Sequence, residues 1–232
     1  MPDNLKLHEA IVLLALCEEK GTMNGAYVEY ATAAALAAEL LILGRIKVDD
    51  GNKEKVTLVN DSPTGDSLLD EALAKISDTK RQYQLEYWVE KLAGIKDLKH
   101  KVAQALAADG IVASEKEKVL WLFERRVYPE VNPEPEEQLR QEMRNVVLSD
   151  ENDIGPRIAI TIALANSAAL LPQVFSQQEL KDRKQRIKQI ENGELVSKAA
   201  KEAIQAIEAA VMIAAIMPAI TAATVTSSPS SC

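Results

Sequence analysis

Apolar residues recur along most of this chain at the spacing of one face of an α-helix, and glycine or proline marks the end of several apolar segments. This pattern predicts helices that bury one face. The predicted helices cover residues 5–19, 26–43, a segment from Ser67, a segment around Trp88, 97–109, 136–148 and 177–191. Pro156 opens a further segment, "RIAITIALANSAALL", which has almost no polar face. We expect that helix at the centre of a bundle.

Two segments alternate between apolar and polar residues. In "RIKVDDGNKEKVTLV", Ile46 and Val48 alternate with polar residues, Asp50-Gly51 offers a turn, and the alternation resumes at Val56, which predicts a β-hairpin. In "GIVASEKEKVLWLFERRVYPEV", apolar residues flank the charged "SEKEK", which fits a second hairpin or a loop. The predicted fold class is mainly α, with a central apolar helix bundle ringed by amphipathic helices and one or two small β-hairpins.

The segment 209–225, "AAVMIAAIMPAITAATV", has the length of a short membrane span, but it is rich in alanine and interrupted by Pro218. Ile204, Ile207, Val211 and Ile216 follow helical spacing, and polar residues lie among them: Lys201, Glu202, Gln205 and Glu208. We therefore favour a buried terminal helix over a span. We therefore expect one helical domain over residues 1–225 and a disordered tail over 226–232.

Composition narrows the class further. Apolar residues make up 47% of the chain and aromatic residues only 4%, which favours helices packed through small and aliphatic side chains. The net charge of −8 argues against nucleic acid as a partner. The beginning lacks the basic flank and cleavage site of a signal peptide, and Cys17 and Cys232 make no disulfide framework, so we expect a reducing, cytoplasmic location.

The sequence contains no catalytic pattern that we can identify. His8 and His100 are far apart, no cysteine is near a histidine in the sequence, and there is no metal-ligand spacing or glycine-rich phosphate loop. We interpret the two histidines as surface or capping residues. We expect neither an enzyme nor a cofactor nor a metal.

Two basic segments and one aromatic segment offer candidate binding residues. "KDLKHK" places Lys96 and Lys99 at a spacing that puts them on one helix face. "KDRKQRIK", at 181–188, is more simply a solvated helix face. The segment "VLWLFERRVYP" suits a membrane–water boundary or a packed hairpin, and its candidate residues are Leu120, Trp121, Leu122, Phe123, Arg125 and Arg126.

The stretch "DSPTGDSLLDEAL", at 61–73, combines a turn containing Pro63 and Gly65 with a helix start at Asp66 or Ser67. With "LAAELLILGRIKV" before it, "WVEKLAG" after it and "RIAITIALANSAALLPQVF" later, the chain resembles the Golgi phosphoprotein 3 family from about Leu5 to Glu208. "PTGD" followed by "LLDEAL" is the most specific part of this resemblance. We interpret the stretch as a scaffold element that leads from the first hairpin into the bundle.

That family consists of mainly helical peripheral membrane proteins that recognise phosphatidylinositol 4-phosphate, and its eukaryotic members retain glycosyltransferases and engage vesicle coat. The resemblance implies a peripheral membrane protein, at the Golgi if the source is eukaryotic. The basic N-terminal arm of the eukaryotic adaptors has no counterpart before the first predicted helix. We therefore expect a shorter, bacterial type of member, without enzyme retention or coat binding.

The resemblance also implies the binding residues. The family's head-group pocket uses a tryptophan and three arginines. Two of the arginines fall on Lys96 and Lys99, which keep the charge but not the planar, bidentate contact. The other arginine falls on Ala33, and the tryptophan falls near Asn24, where Tyr27 is the closest aromatic residue.

The family's membrane-inserting loop matches residues 119–131, so Trp121 and Phe123 would enter the membrane boundary while Arg125 and Arg126 face phosphates. Each cation near an anionic surface contributes about 1 kcal/mol, screened within roughly 8 Å at physiological salt. The first hypothesis is therefore a protein that binds anionic phospholipid membranes. The alternative is a soluble module of tandem winged-helix-like units, which the recurring order of helices and hairpin suggests. A membrane anchor at 209–225, a protein partner and a weak homo-oligomer stay open.

Overall fold

The computed structural model describes residues 5–17, 20–25, 27–49, 55–119 and 123–196, and the chain is mainly α-helical as predicted. The helices are α1 (Leu7–Ala15), α2 (Val28–Ile42), α3 (Ser67–Ser77), α4 (Leu85–Ala93), α5 (Leu98–Ala108), α6 (Glu134–Leu148), α7 (Pro156–Ser167), α8 (Gln177–Asp182) and α9 (Lys184–Glu191). The strands are β1 (Ile46–Val48), β2 (Val56–Leu58), β3 (Glu115–Val119) and β4 (Phe123–Val127). A 3₁₀ turn, Leu171–Gln173, follows α7.

Within the described residues, three helices form the centre of the bundle. Every residue of α1 is buried, α2 is buried from Ala31 to Leu41, and α7 is buried from Ile158 to Ala165. Helices that are buried on all sides belong inside a bundle, so the central position predicted for α7 is confirmed. Alanines on α2 let α1 approach closely, because interaxial distance depends on side-chain size.

The first helix is shorter than predicted. It ends at Ala15 rather than near residue 19, because Leu16 is extended (φ −77°, ψ 137°) and forms an isolated antiparallel bridge with Met23. The histidine on this helix also differs from expectation. His8 is not a surface or capping residue, since only 1% of it is exposed.

The first hairpin has the predicted strands. Ile46 pairs with Leu58 and Val48 pairs with Val56, in antiparallel register. The Val56 amide donates to the Tyr83 carbonyl (2.8 Å), so the segment before α4 lies beside this hairpin. The predicted turn at residues 50–51 lies outside the described residues.

The stretch that follows this hairpin is held by a partly buried group of polar and charged side chains, which we call the Lys6 cluster: Lys6, His8, Glu9 and Asp66. Asp66 caps α3, since its Oδ1 accepts from the amides of Leu68 and Leu69 at 2.8 Å each. The Lys6 Nζ lies 2.9 Å from Asp66 Oδ2 and 2.9 Å from Glu9 Oε1, and His8 Nε2 lies 3.6 Å from Asp66 Oδ2. Asp66 therefore ties the start of α3 to the start of the central helix α1, which gives the stretch a structural role.

The charged segment that was predicted to form either a second hairpin or a loop forms a hairpin of β3 and β4. Its register places Glu117 opposite Arg125 and Lys118 opposite Glu124. The charged residues Glu115–Lys118 form most of strand β3, and they are exposed, as are residues 124–126 on β4. Both strands are thus solvated over their charged parts.

The base of this hairpin is anchored to the body of the protein. Tyr128 directly follows β4 and is 1% exposed, and its amide donates to the Gly21 carbonyl (2.7 Å). Gly21 has φ +58°, and a Cβ there would lie 2.3 Å from the backbone of Tyr128 and Pro129. Only glycine fits this close approach, which fixes the hairpin against the segment between α1 and α2.

The helix predicted over 177–191 is two helices. Arg183 separates α8 from α9 with φ −101° and ψ 9°. The break lets Arg183 and Arg186 reach the end of α6: Arg183 donates to the Leu148 carbonyl, and Arg186 donates to the Val146 carbonyl (2.8 Å). Carbonyls at a helix end have no partner within the helix, so this contact stabilises the end of α6.

The predictions for the C-terminal part stay untested. The buried helix or span at 209–225 and the tail at 226–232 lie outside the described residues, as does the far end of the domain predicted over 1–225.

Candidate functional site

The predicted basic residues lie where α5 begins. Lys96 is exposed in the turn before the helix, and Asp97 has a left-handed backbone (φ 58°, ψ 30°) at the N-cap position. The prediction that Lys96 and Lys99 share a helix face is therefore wrong, because Lys96 precedes the helical backbone. The Asp97 side chain makes no capping hydrogen bond to α5. The start of this helix is instead flanked by two lysines.

The ammonium of Lys99 is already paired. Its Nζ lies 2.6 Å from Glu29 Oε1, and the two side chains are 30% and 40% exposed. Glu29 is in the first turn of α2, and Tyr27 is the N-cap residue of that helix. Tyr27 is half-buried and packs against the core. The structure thus brings the beginnings of α2 and α5 together, with Tyr27 at the same end of α2 as the partner of Lys99.

The second hairpin adds a cation to this area. Arg126, on β4, has an Nη atom 3.6 Å from Asp97 Oδ2, and both side chains are 44% exposed. Arg126 therefore lies beside the start of α5, and the structure brings it near Lys99. Both are close enough to His100 to affect its protonation.

His100 lies near both of these cations. Its Nδ1 is 3.1 Å from the hydroxyl oxygen of Tyr128. Burial lowers the pKa of His100 below its ordinary value, and the positive charges of Arg126 and Lys99 lower it further. Burial also raises the pKa of Tyr128. Both groups are therefore neutral at pH 7, and the positive charge of the area comes from the lysines and Arg126.

The remaining loop residues are only partly described. Arg125 pairs across the hairpin with Glu117, at 2.5 Å between Nη and Oε2, with both side chains about half exposed. Phe123 begins strand β4. Leu120, Trp121 and Leu122 lie outside the described residues, so their proposed contact with a membrane stays a prediction.

The two other positions implied by the family resemblance have structural surroundings. Ala33 is fully buried in α2. The Asn24 side-chain amide lies 2.9 Å from Cys17 Sγ. A head group at the start of α5 would therefore meet lysine and arginine cations rather than a side chain from residue 33.

The basic segment at 181–188 is partly structural. The interpretation as a solvated face is wrong for Arg186, which is 9% exposed and donates to carbonyls at the end of α6. It holds for Lys181, Lys184 and Lys188, which are exposed. This segment therefore divides into clamping arginines and solvated lysines.

One further group could in principle hold a metal ion. The ligand atoms of His8, Glu9 and Asp66 lie within 4.8 Å of one another. The ammonium of Lys6 lies 2.9 Å from both carboxylates, however, and so occupies the position of a cation. Burial acts to raise the pKa of Asp66, but its interactions with His8, Lys6 and the Leu69 amide outweigh burial and hold the pKa well below its ordinary value. The Lys6 cluster is thus an internal ion-pair network.

A cavity of about 220 Å³ lies elsewhere, beside α3. Asp61, Asp70 and Asp78 line it together with Leu73 and Ala74. Its acidic lining does not suit an anionic head group. It also shares no lining residue with the area at the start of α5.

Sequence reasoning missed the carboxylates of the basic area. Glu29 and Asp97 pair with Lys99 and Arg126, but Glu29 is far from Lys99 in the sequence and Asp97 resembles an ordinary helix cap. No local pattern links these residues. Their pairing depends on the packing of α2 beside α5 and on the anchoring of the second hairpin.

A model of the Golgi phosphoprotein 3 (GPP34) family matches residues 7–207, which is most of the chain. The chain belongs to this family. The match includes all the helices and strands of the described residues.

A curated relative points the same way. The chain is 24% identical over 165 residues to vacuolar protein sorting-associated protein 74 of Eremothecium gossypii. The aligned region covers 62% of this chain and 49% of that protein, so the chain spans about half the length of the curated relative that it matches. Among the residues that the structure describes, we find no helix long and apolar enough to cross a bilayer.

Proposed function

We propose that this Golgi phosphoprotein 3 family member is a non-enzymatic, peripheral membrane protein that binds anionic phospholipid head groups. We call the proposed binding area the head-group site: Tyr27, Lys96, Lys99 and Arg126. By resemblance to the family, the ligand is phosphatidylinositol 4-phosphate, and the location is the cytoplasmic face of a membrane, at the Golgi if the source is eukaryotic. The segment Leu120–Phe123, with Arg125 beside it, contacts the membrane boundary.

The observation that carries the proposal is the convergence of cations from different elements at the beginning of α5. Lys99 is on the helix, Lys96 is in the turn before it, and Arg126 comes from β4. The start of a helix also favours an anion, because its first amide groups point away from the helix and carry partial positive charge. An acidic chain thus has a local cationic area.

The anchored hairpin supports the proposed membrane contact of the apolar residues 120–123. The contacts of Arg126 with Asp97 and of Tyr128 with Gly21 anchor the end of β4 to the body, beside the start of α5. The predicted membrane segment connects β3 and β4 at the other end of the hairpin. A membrane that contacted both ends of the hairpin would be held by charge at the start of α5 and by burial of apolar residues at the predicted membrane segment.

The expected affinity is modest. Each cation near an anionic surface contributes about 1 kcal/mol, and this attraction is screened over roughly 8 Å at physiological salt. Reversing Lys96 and Lys99 removes about 2 kcal/mol or more, which corresponds to at least about a thirtyfold loss of binding.

Vesicle co-sedimentation tests the proposal. The wild-type chain should bind vesicles that contain phosphatidylinositol 4-phosphate, binding should fall in Lys96→Glu/Lys99→Glu, and high salt should weaken it. Lys181→Glu/Lys184→Glu is the matched control, since it reverses two exposed lysines at the same spacing on another surface. An equal loss in the control would mean that net charge, not the head-group site, governs binding.

Two other outcomes would contradict the proposal. Equal binding to neutral vesicles would remove the role of charge. Binding to neither kind of vesicle would favour the alternative of a protein-interaction module, for which the recurring order of helices and hairpin is the supporting feature.

A further inference from the structure

The head-group site contains a carboxylate that competes with any anionic ligand. Glu29 Oε1 lies 2.6 Å from Lys99 Nζ, and the Glu29 side chain is 40% exposed. The pair joins the first turns of α2 and α5, whose N-cap residues are Tyr27 and Asp97. A phosphate that binds Lys99 must therefore replace or share this carboxylate.

We propose that Glu29 is a selectivity residue of the head-group site, because its ion pair with Lys99 admits a doubly charged phosphate and disfavours a singly charged one. This inference rests on the proposed function. It assigns to Glu29 a role in discriminating phosphomonoester head groups from the phosphodiester lipids that make up most of an anionic membrane.

The charge balance of the site supports this role. Lys96, Lys99 and Arg126 supply three positive charges, and Glu29 with Asp97 supplies two negative charges. The site therefore presents little net charge to a distant surface. Two of the three cations are already paired, so a ligand that binds Lys99 or Arg126 competes with Glu29 or Asp97 for it.

A phosphomonoester can make that exchange. It carries about −1.5 to −2 charges at neutral pH and three strong acceptor oxygens. The single negative charge of a phosphodiester is spread over two oxygens, and it only matches the charge that the Glu29 carboxylate already supplies. Replacing one monoanion by another gains little, whereas a dianion gains an additional attraction to Arg126 and Lys96.

The position of Glu29 allows it to be substituted with little loss of folding stability. It lies in the first turn of α2, where a negative charge is mildly favourable, so Glu29→Gln costs only a few tenths of a kcal/mol to about 1 kcal/mol of folding stability. Glu71→Gln is the matched control. Glu71 pairs with Lys101 of the same helix α5 at 2.5 Å, and its side chain is 37% exposed.

The experiment compares wild type, Glu29→Gln and Glu71→Gln on two vesicle types of equal total charge. One contains phosphatidylserine and the other contains phosphatidylinositol 4-phosphate, each in phosphatidylcholine. We expect Glu29→Gln to bind phosphatidylserine vesicles about fivefold more tightly, which is the contribution of one freed cation, and to lose preference for the phosphomonoester. Glu71→Gln should behave as wild type.

Three results would overturn the inference. The first is that Glu29→Gln binds both vesicle types as wild type does, and the second is that it tightens binding to both equally. The third is the same gain from Glu71→Gln. In each of these the wild-type chain still binds, so the proposed function survives. Failure of all three proteins to bind either vesicle would remove the proposed function and the inference together.

Discussion

The substitution Asp66→Asn tests whether the stretch 61–73, which carries the most specific part of the family resemblance, serves to stabilise the fold. The asparagine keeps an oxygen that can cap α3, but it removes the negative charge that faces Lys6 at 2.9 Å and His8 at 3.6 Å. We therefore expect the fold to be destabilised while the cap is retained.

The size of the expected stability loss follows from how far the Asp66–Lys6 ion pair is buried. Removing one partner of a buried ion pair costs about 3–5 kcal/mol. The Asp66 side chain is 9% exposed, but Lys6 is 36% exposed and keeps Glu9 as a partner, so we expect about 2 kcal/mol for Asp66→Asn. Asp66→Ala also loses the cap, which adds about 1 kcal/mol.

Urea unfolding at several pH values measures both effects. The pKa of Asp66 is depressed in the folded state, so its contribution is fully present above the unfolded value of about 4 and is lost as pH falls towards the folded value. The difference between wild type and Asp66→Asn should therefore be largest near neutral pH and shrink below about pH 4. The exposed Asp61→Asn is the control, and it should change stability by less than about 0.5 kcal/mol.

Two results would refute the role of this charge. One is a stability of Asp66→Asn that matches wild type within about 0.5 kcal/mol at neutral pH. The other is a loss of stability that is the same at acidic and neutral pH, because the charge would then have no part in the effect. A double-mutant cycle with Lys6→Met gives a second check. Because the two residues are in contact, the double variant should lose less folding stability than the sum of the two single losses.

The remaining predictions concern a turn and a histidine. Gly65 has φ +89°, and a side chain there would meet open space. Gly65→Val should therefore cost about 1–3 kcal/mol of folding stability through backbone strain and leave vesicle binding of the folded protein unchanged. Unchanged melting with lost lipid binding would show that the turn acts in binding rather than in stability. Because burial and nearby cations lower the pKa of His100, the unfolded chain takes up this proton first as pH falls below about 6.5, and wild type should lose stability there. His100→Gln should reduce that loss in urea unfolding, and an identical pH dependence would contradict the assignment.

Local patterns predicted the elements whose causes are local. The apolar segment of α7, the alternation of Ile46 and Val48, and the capping position of Asp66 each depend on residues that are neighbours in sequence. The exact ends were less predictable. Leu16 ends α1 because it pairs with Met23, and that pairing depends on how the following segment turns back.

Contacts between distant residues escaped prediction for a physical reason. A polar or charged residue looks solvated in a sequence, yet His8 is buried beside Asp66, and Arg186 is buried at the end of α6. In both cases packing of another helix supplies the polar partners. The division of 177–191 into α8 and α9 also involves another helix, since Arg183 at the break contacts the Leu148 carbonyl and Asp150 at the end of α6.

The candidate site was predicted in part. The sequence and the family resemblance pointed to Lys96, Lys99 and the arginines of the hairpin as candidate binding residues, and their role stays a prediction. They could not identify Glu29 or the proximity of Arg126 to α5, because these depend on the packing of three elements. Selectivity, as we infer it, therefore lies in the part of the site that the sequence concealed.

The acidity of the whole chain affects how lipid binding should be measured. A net charge of −8 repels an anionic membrane, while the cations of the head-group site attract it at short range. The screening length falls from roughly 30 Å at 0.01 M salt to roughly 8 Å at 0.15 M. At very low salt, charges over the entire protein therefore repel the membrane surface. At physiological salt, only the charges of residues that face the membrane interact with it. A wholly basic protein binds most tightly at the lowest salt, so an optimum at intermediate salt would distinguish a local cationic site on an acidic body from attraction by overall charge.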